Sequence, residues 1–512
     1  MHNIAMSGEP SDGTALADDR VRFGWEELDQ TLSRVANALG ALDLGPERLV
    51  AVFAENAAET VVAHLAGILA GASTVPISFH LTEFELAYIL EDSGASVLLV
   101  GPETAAVGAA AAAATGVTQV FGWRCDVAGV ANWEDLVSTA PSSPPAQDVR
   151  PLPHLHYTSG TTGRPKGVET PPAMFAGGDT IAEHLGNIAA NPIIALGGIA
   201  LIVGPTYHTG PLSTVRSVLG GMGAVVLDRF DPEATLRAIQ DHRITTTVMV
   251  PTHFQRLLAL PADVRAKYDT SSLLAVFHTG AACPVEVKRA MIEWFGLVFY
   301  EAYGGTEAGT TNSITSQEWL EHPGSVGRTM PPFEVLIVDE DENELPAGES
   351  GQIYFRDTTG RGIVFRNDPE KTASVHLQDG VFTLGEVGYV DADGYVYITD
   401  RTSDMIVSGG VNIYPAEAEQ ALLTHPGVAD VACIGIPHDD LGEKLHALVV
   451  ATDPDAPPSD EELMERCRSV IANYKAPRSL EYVADLGRNA MGKINKRTLR
   501  APYWPTDRTI GG

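Results

Sequence analysis

The segment YTSGTTGRPKG, Tyr157 to Gly167, combines three glycines, a proline, four serine or threonine hydroxyls and two cations. This composition is incompatible with a helix interior or a central strand, so it predicts a loop. Glycines let backbone N–H groups point at an anion, hydroxyls donate hydrogen bonds, and Lys166 adds charge. The spacing differs from a Walker loop, because Gly167 and not Ser or Thr follows the lysine. These residues are compatible with an ordinary surface loop and with a phosphate-binding loop.

Strand-like and helix-like blocks alternate on both sides of this loop, as in RLVAVFA (48–54) followed by AAETVVAHLAGILAGA (57–72). The alternation resumes after residue 220 and predicts mostly parallel sheets covered by helices, an α/β fold. From about 333, β-branched and aromatic runs separated by Asp/Gly turns predict antiparallel strands in a small β-barrel-like part. We predict a large N-terminal domain over 1–400, a hinge at 401–404 and a small, mobile C-terminal α+β domain over 405–512.

Bulk composition excludes several classes of function. The chain has 512 residues and a formal charge of −32, which argues against nucleic-acid binding. Its four cysteines lie far apart without a CxxC pair, which fits a reducing compartment and excludes a Cys-rich zinc site. Residues 1–10 lack a signal-peptide pattern, and the longest apolar run (193–204) is too short to span a bilayer. We therefore predict a soluble cytoplasmic protein without a transmembrane segment.

Five further motifs follow the loop in order: PTYHTGPL (205–212), YGGTE (303–307), TLGEVG (383–388), DRTSDMIVSGGVNIYPAEAE (400–419) and RNAMGKINKR (488–497). Each motif alone is typical of a turn or a solvated charged stretch. Together with the loop they resemble the adenylate-forming superfamily, which includes acyl-CoA synthetases, peptide-synthetase adenylation domains and firefly luciferase. Within it the chain looks most similar to actinobacterial fatty-acyl-CoA ligases and to CoA ligases of bulky alicyclic acids.

The resemblance implies an acyl-CoA synthetase that works in two steps. A hydrophobic monocarboxylic acid, which can be bulky, attacks the α-phosphorus of ATP to give acyl-AMP and pyrophosphate, and the thiol of CoA then displaces AMP. ATP, Mg²⁺ and CoA are the implied cofactors and co-substrates. Because both reactants of the first step are anions, charge neutralisation and alignment matter more than acid–base catalysis.

The resemblance also assigns residues to roles. Lys493 reaches the transferred phosphate and carboxylate, Thr306 donates to phosphates, Glu307 helps to hold Mg²⁺, and His208 gates the pocket without transferring a proton. The expected walls of the acyl pocket are His208, Thr209, Gly210, Thr279, Gly304 and Gly305. The expected nucleotide and CoA contacts are Thr158, Ser159, Gly160, Thr161, Thr162, Gly163, Lys166, Gly280, Ala281, Ala282, Glu301, Ala302, Tyr303, Gly304, Glu386, Arg401, Ser408, Gly409 and Gly410.

Three positions depart from the family pattern. The ribose-binding acid, usually Asp, is Glu386; the hinge residue, usually Asp or Lys, is Ser403; and the residue that opens the lysine loop, often Pro, is Gly487. All three lie where nucleotide geometry and domain rotation are set. These departures are compatible with a variant that mainly forms the thioester from a supplied acyl-adenylate.

The motifs leave the acceptor of the acyl group and the partners of the chain undecided. The acyl group could be loaded onto a separate carrier protein, and a homodimer is possible. A non-catalytic binder of nucleotide or acyl-adenylate is disfavoured by the presence of Lys493, Glu307 and the phosphate loop.

Overall fold

The structure is a computed structural model that describes residue 4 and residues 13–158, 165–339, 341–401, 404–408, 411–438, 441–471, 473–489 and 492–504. The strands of the N-terminal half are β1 (Thr14–Ala17), β2 (Arg22–Gly24), β3 (Leu49–Phe53), β4 (Ser73–Ile77), β5 (Val97–Val100), β6 (Gln119–Gly122), β7 (Ala131–Asn132), β8 (Leu155–Thr158), β9 (Lys166–Glu169), β10 (Ile199–Ile202), β11 (Gly223–Val226) and β12 (Thr246–Met249). Those of the C-terminal half are β13 (Ala275–His278), β14 (Phe299–Gly305), β15 (Gly309–Thr315), β16 (Gly327–Thr329), β17 (Phe333–Val338), β18 (Gly351–Asp357), β19 (His376–Gln378), β20 (Val381–Phe382), β21 (Glu386–Val390), β22 (Tyr395–Arg401), β23 (Ile406–Ser408), β24 (Val411–Ile413), β25 (Val428–His438), β26 (Gly442–Ala451) and β27 (Ser479–Tyr482).

Helices separate most of these strands. In chain order they are α1 (Trp25–Gly40), α2 (Ala58–Leu69), α3 (Glu83–Ser93), α4 (Ala105–Thr115), α5 (Trp133–Ser138), α6 (Ile181–Ala189), α7 (Pro192–Ala195), α8 (Thr209–Ser217), α9 (Pro232–Asp241), α10 (Pro251–Leu258), α11 (Ala262–Arg265), α12 (Val285–Phe295), α13 (Ser316–Glu321), α14 (Pro369–Ser374), α15 (Pro415–Leu423), α16 (Asp460–Val470) and α17 (Lys496–Arg500). The apolar run at 193–204 divides between α7 and β10.

Two sheets of the N-terminal region are parallel where the sequence alternates. One has the order β4-β3-β5-β6-β7 and is parallel throughout. The other is a large sheet in which β1, β11, β10, β12, β13 and β14 are parallel neighbours. Strands such as β3, LVAVF, are buried at every position, as expected when helices cover both faces. The predicted α/β class is confirmed.

Antiparallel strands continue the same large sheet beyond β14. Their order is β14-β15-β16-β22-β21-β18-β20-β19, with β17 paired to β18 off this path. The barrel-like part of the prediction is thus an open antiparallel extension, and in the described residues these strands do not close on themselves.

The C-terminal region forms its own small sheet, β24-β23-β26-β25, with β27 parallel to β26. Its core is separate from that of the large domain and includes Ile406, Leu422, Cys433 and Leu463. The last strand of the large sheet ends at Arg401, and the first strand of the small sheet begins at Ile406. The hinge at 401–404 stays a prediction, since residues 402 and 403 lie outside the described part of the chain. No helix in the described ranges is long and apolar enough to cross a membrane.

Histidine is unusually well represented in the interior. His64, His154, His156, His253 and His278 are all less than 5% exposed. Burial, the largest cause in each case, lowers the pKa of His64, His156 and His253 to about 3 and that of His154 and His278 well below the usual value. The folded protein therefore holds these rings neutral.

Stability should consequently fall with acidification below neutral pH. A depressed folded pKa means that the unfolded chain binds more protons, so the stabilisation is complete above pH ~6.5 and is lost as pH falls toward ~3. We expect the free energy of unfolding to fall by about 1 kcal/mol for each buried histidine ring when the pH is lowered from 7.5 to 5.5. Urea unfolding at both pH values measures this change.

His64→Gln should flatten the pH dependence by one such increment, whereas His80→Gln, at an exposed position, should leave it unchanged. A pH-independent unfolding free energy over this range would contradict the prediction.

Candidate active site

Several predicted site motifs follow the carboxyl ends of neighbouring parallel strands. The segment leading to His208 follows β10, Thr279 follows β13, and β14 itself runs through Tyr303 to Gly305. Ligands bind at this edge of parallel sheets, because the connections there diverge and leave a crevice. Parallel register therefore gathers motifs that are up to about a hundred residues apart.

Contacts between the motifs show how close they are. The Oγ1 atoms of Thr209 and Thr306 lie 3.2 Å apart. A Cβ placed on Gly210 would lie 3.6 Å from Cγ2 of Thr279 and 3.1 Å from Cγ1 of Val248. The predicted acyl-pocket positions of PTYHTG, YGGTE and the loop after β13 thus form one continuous wall.

The YGGTE turn requires its first glycine. Gly304 has φ +157°, and a Cβ there would collide with the carbonyl oxygen of Gly309. Thr306 to Ala308 form the turn from β14 to β15, and the Glu307 side chain is partly exposed beside Gly305. The turn therefore presents a hydroxyl and a carboxylate next to each other at the strand end.

Tyr303 and Glu386 are hydrogen-bonded to each other. The Tyr303 hydroxyl donates to Oε2 of Glu386 over 2.8 Å, and Glu386 is 7% exposed. Glu386 is also the cross-strand backbone partner of Arg401 in the β21–β22 ladder. The residues predicted to hold adenine and ribose therefore adjoin one another, and the longer side chain of Glu386 is fixed by the tyrosine.

The side chain of Glu301 is bound within the protein, and its predicted nucleotide contact stays a prediction. Its buried carboxylate accepts a hydrogen bond from Nζ of Lys288 in α12 at 2.5 Å and lies 3.6 Å from Nε2 of His278. Lys288 is fully buried, and its ammonium lies 4.8 Å from the ring centre of Trp319. Because the carboxylate is committed to this pair, the expected nucleotide contact is left to the backbone of residues 301–302 and to the loop Gly280, Ala281 and Ala282. Burial raises the pKa of the nearby Cys283 thiol, which fits a thiol that is not a nucleophile.

The phosphate loop connects the two strands of a hairpin. Thr158 at the end of β8 pairs with Lys166 at the start of β9. The intervening predicted contacts Ser159, Gly160, Thr161, Thr162 and Gly163 lie outside the described residues. Lys166 forms an ion pair with Asp368, whose carboxylate also caps α14 by accepting from the Lys371 N–H at 2.8 Å. The sequence carries no local signal for Asp368, because it lies 202 residues from its partner.

The lysine loop rests against the large domain. A Cβ on Gly492 would lie 2.6 Å from Cγ2 of Thr252, which follows β12. The Asn489 N–H donates to the Lys493 carbonyl at 3.0 Å, and the Lys493 N–H donates to Oδ1 of Asn489 at 2.9 Å. These contacts hold Lys493 at the face that carries the nucleotide motifs.

An ion pair supports this loop from the small domain. Arg488 donates to both carboxylate oxygens of Asp430, at 2.6 and 2.7 Å, and to the carbonyl of Gly492 at 2.5 Å. Arg488 opens the motif RNAMGKINKR but has no role that its local sequence predicts, and Asp430 lies in no motif. Gly487 precedes this anchor with φ +63°, a left-handed backbone that proline cannot adopt.

His208 immediately precedes α8, and its ring centre lies 4.4 Å from that of Tyr207. Burial, followed by the positive charge of Lys493, lowers the pKa of His208 to about 3. This charge effect, together with the contact of the Lys493 loop with Thr252, is consistent with Lys493 on the His208 side of the site. A ring that is neutral at pH 7 can form a wall or a hydrogen bond, in keeping with the predicted role without proton transfer.

The residues present suit a Mg²⁺ ion that is carried mainly by phosphates. In the ranges that the structure describes, no group of three or more His, Cys, Asp or Glu side chains is arranged to hold a metal. Mg²⁺ usually keeps several waters and takes one or two carboxylates together with substrate phosphates. Glu307 can supply one such carboxylate.

Two remaining predictions concern the CoA side and the hinge. Ser408 is buried at the end of β23, where it pairs with Val411 and Gly442. Gly409, Gly410 and Ser403 lie outside the described residues, so their roles stay predictions.

The Tyr303–Glu386 hydrogen bond should contribute to nucleotide binding. We expect Tyr303→Phe to raise the Kd for AMP about 10-fold, since a hydrogen bond to a charged group is worth ~1.5–3 kcal/mol and here fixes the carboxylate. In a Glu386→Ala background the same change should have little further effect, which a double-mutant cycle by calorimetry measures.

Tyr300→Phe is the matched control, because Tyr300 lies on the same strand with its ring stacked on Phe277. Equal effects of Tyr303→Phe with and without Glu386 would refute the coupling.

Comparison with known proteins agrees with this geometry. The chain is 35% identical over 497 residues to feruloyl-CoA synthase of Amycolatopsis sp, covering 96% of both proteins. It is 32% identical over 504 residues to the fatty acid–[acyl-carrier-protein] ligase ScoC of Streptomyces coeruleorubidus, covering 97% of this chain and 94% of that protein. The crystal structure of ATP-bound MatB from Rhodopseudomonas palustris superposes with a TM-score of 0.80 at 29% identity, covering 96% of this chain and 95% of that one.

The sequence profile of the AMP-binding enzyme family matches residues 5–363, and that of the AMP-binding enzyme C-terminal domain matches residues 417–493. The chain therefore belongs to the AMP-binding, adenylate-forming enzyme family and is a ligase of its acyl- and aryl-CoA synthetase group.

Proposed function

We propose that this protein activates a hydrophobic carboxylic acid with ATP to an acyl-adenylate and then transfers the acyl group to CoA. The observation that carries the proposal is the position of Lys493. The contact of its loop with Thr252 of the large domain and the effect of its charge on His208 support a cation beside the wall formed by Thr209, Thr306 and Thr279. A cation at that point neutralises the two anions that must meet in the first step.

In the first step the chain's residues position and neutralise. The Tyr303–Glu386 pair orients adenosine, and the Thr306 hydroxyl together with Lys166 and the phosphate loop holds the phosphates. Lys493 lies between the acid and the α-phosphate. When bound, Mg²⁺ would neutralise phosphate charge, and Glu307 would be its protein ligand. Alignment of this kind supplies most of the acceleration expected for phosphoryl-type transfer.

The second step requires the small domain to change position. The thiol adds to the acyl carbonyl of the adenylate, and AMP leaves with the electron pair of the broken C–O bond. We propose that rotation about Ser403 withdraws Lys493 and brings Ser408 and the glycines that follow it to the pantetheine arm. Glycines at that point let the arm pass close to the backbone.

A carrier-protein thiol is the second candidate acceptor, favoured by the similarity to a relative named as an acyl-carrier-protein ligase. Turnover with CoA and with a phosphopantetheinylated carrier distinguishes the two acceptors. We expect CoA to be the better substrate by kcat/KM.

Removal of the Lys493 charge should separate the half-reactions. We expect Lys493→Ala to slow acid-dependent pyrophosphate exchange into ATP by about 100-fold or more, the usual cost of losing a donor to developing charge. Thioester formation from supplied acyl-AMP should stay within about threefold, because Lys493 does not act in that step.

Lys267→Ala, at an exposed lysine 4.0 Å from Asp263, is the control and should change neither rate. Unchanged exchange in Lys493→Ala would contradict the proposal.

The backbone conformation of Gly487 leads to a second prediction in which the two half-reactions are affected differently. Gly487→Pro introduces the residue that is often found at this position in the family. Because φ of residue 487 is +63° in this protein, proline must distort the chain next to Arg488. We expect adenylate formation to slow by about 10-fold, since such strain costs ~1–3 kcal/mol.

Thioester formation from acyl-AMP should be affected less. An unchanged or faster rate of pyrophosphate exchange would show that the left-handed backbone at Gly487 is dispensable.

A further inference from the structure

Helix α8 carries an accessible stripe that leads away from the reacting groups. Thr209, Ser213 and Arg216 keep exposed surface at spacings of four and three residues, which places them on one face. Leu212 and Val215, at the flank of this face, are fully buried in the core. Because Thr209 touches Thr306 at the candidate active site, this stripe is the continuation of the acyl-pocket wall.

Arg216 ends the stripe with a partly buried cation. Burial lowers the pKa of Arg216 to about 10, so the guanidinium remains charged at neutral pH. It donates to the Met174 carbonyl at 2.7 Å, and its central carbon lies 5.7 Å from the ring centre of Phe175. A guanidinium has five N–H donors, of which this carbonyl takes one. No carboxylate in the described ranges is ion-paired with it.

The surroundings of Arg216 are polar but uncharged. Its charge contributes to the lowered pKa of His154, His156 and His184, in each case after burial. His184 stacks on Phe175 at 4.4 Å, and the Nε2 atoms of His154 and His184 are buried without a hydrogen-bond partner. The cation therefore has neutral imidazoles around it where a counter-ion would ordinarily be found.

A partly buried guanidinium without a counter-ion loses hydration without full compensation, and arginine that is buried is usually paired. The contacts with Met174 and Phe175 fix the side chain but leave its charge uncompensated. The cost is recovered if a ligand supplies acceptor oxygens. Met174, which accepts the hydrogen bond from Arg216, adjoins the YGGTE turn, since a Cβ on Gly309 just beyond that turn would lie 2.8 Å from Cγ of Met174. The position of Arg216 therefore suits a ligand in the acyl pocket.

We propose that Arg216 is a specificity-determining residue that binds an acceptor oxygen at the far end of the acid substrate. The inference rests on the proposed function and sharpens it: the preferred acid carries a carboxylate, hydroxyl or carbonyl oxygen distal to the activated carboxyl group. Thr209 and Arg216 are separated by roughly 10 Å along the helix axis, and helical side chains lean toward the N-terminus. That span matches an acid with one ring between its two polar ends.

The test compares kcat/KM for thioester formation with three acids of the same skeleton: 4-methyl-, 4-hydroxy- and 4-carboxycinnamate. A parallel series on phenylacetate covers a shorter span, and octanoate serves as an acid without a distal oxygen. We expect the wild-type enzyme to prefer at least one oxygen-bearing acid over its methyl counterpart by about 10- to 100-fold, the range for hydrogen bonds to charged groups. Arg216→Met should abolish that ratio while octanoate turnover stays within about threefold.

Two further variants control for loss of charge and for folding. Arg229→Met removes a surface arginine whose side chain is 73% exposed and should leave every ratio unchanged. Arg216→Lys keeps the charge but not the planar fork, so it should retain part of the preference for the carboxylate.

A wild-type enzyme without preference for oxygen, or an Arg216→Met variant that loses all acids equally, overturns the inference while leaving the proposed function intact. Absence of thioester with every acid, octanoate included, contradicts the proposed function itself.

Discussion

The parallel register of β10, β12, β13 and β14 is the constraint on which the candidate site depends. Each strand delivers its following loop to the same edge of the large sheet, so His208, Thr252, Thr279 and Thr306 meet without any sequence proximity. The antiparallel extension adds Glu386 beside Tyr303 at this edge. If the pairing slipped by one residue, strand residues of the site such as Tyr303 and Glu386 would point to the opposite face of the sheet.

Charge is the second organising factor. The chain has 66 acidic and 34 basic residues, yet the proposed first step joins two anions. Long-range attraction cannot collect them, so the cations near the site are individually fixed by local contacts. Lys166 is held by Asp368, and Lys493 is held in a loop that the Arg488–Asp430 pair braces. A substrate phosphate meets these groups in place, with little reorganisation left to do.

Much of the fold and the identity of the motifs could be predicted from the sequence, because both depend on local patterns. Alternating apolar runs predicted the strands and helices, and YTSGTTGRPKG and YGGTE carried the resemblance. Side-chain partnerships could not be predicted in this way. The bond from Tyr303 to Glu386 spans 83 residues, and the contact from Thr209 to Thr306 spans 97, so neither leaves a trace in a local window. Glu301 shows the same limit: the bond of its carboxylate to Lys288 could not be predicted from the local sequence.

The left-handed backbone at Gly487 has an evolutionary consequence. Glycine can adopt the φ of proline, but proline cannot adopt φ +63°, so a change from Gly487 to proline requires the backbone to move. The neighbouring Arg488–Asp430 anchor would have to adjust at the same time, so this loop is expected to change as a unit. Replacing the entire 487–493 segment with that of a proline-containing relative should succeed where single exchanges fail, which makes the loop, rather than any one residue, the natural module for engineering the first step.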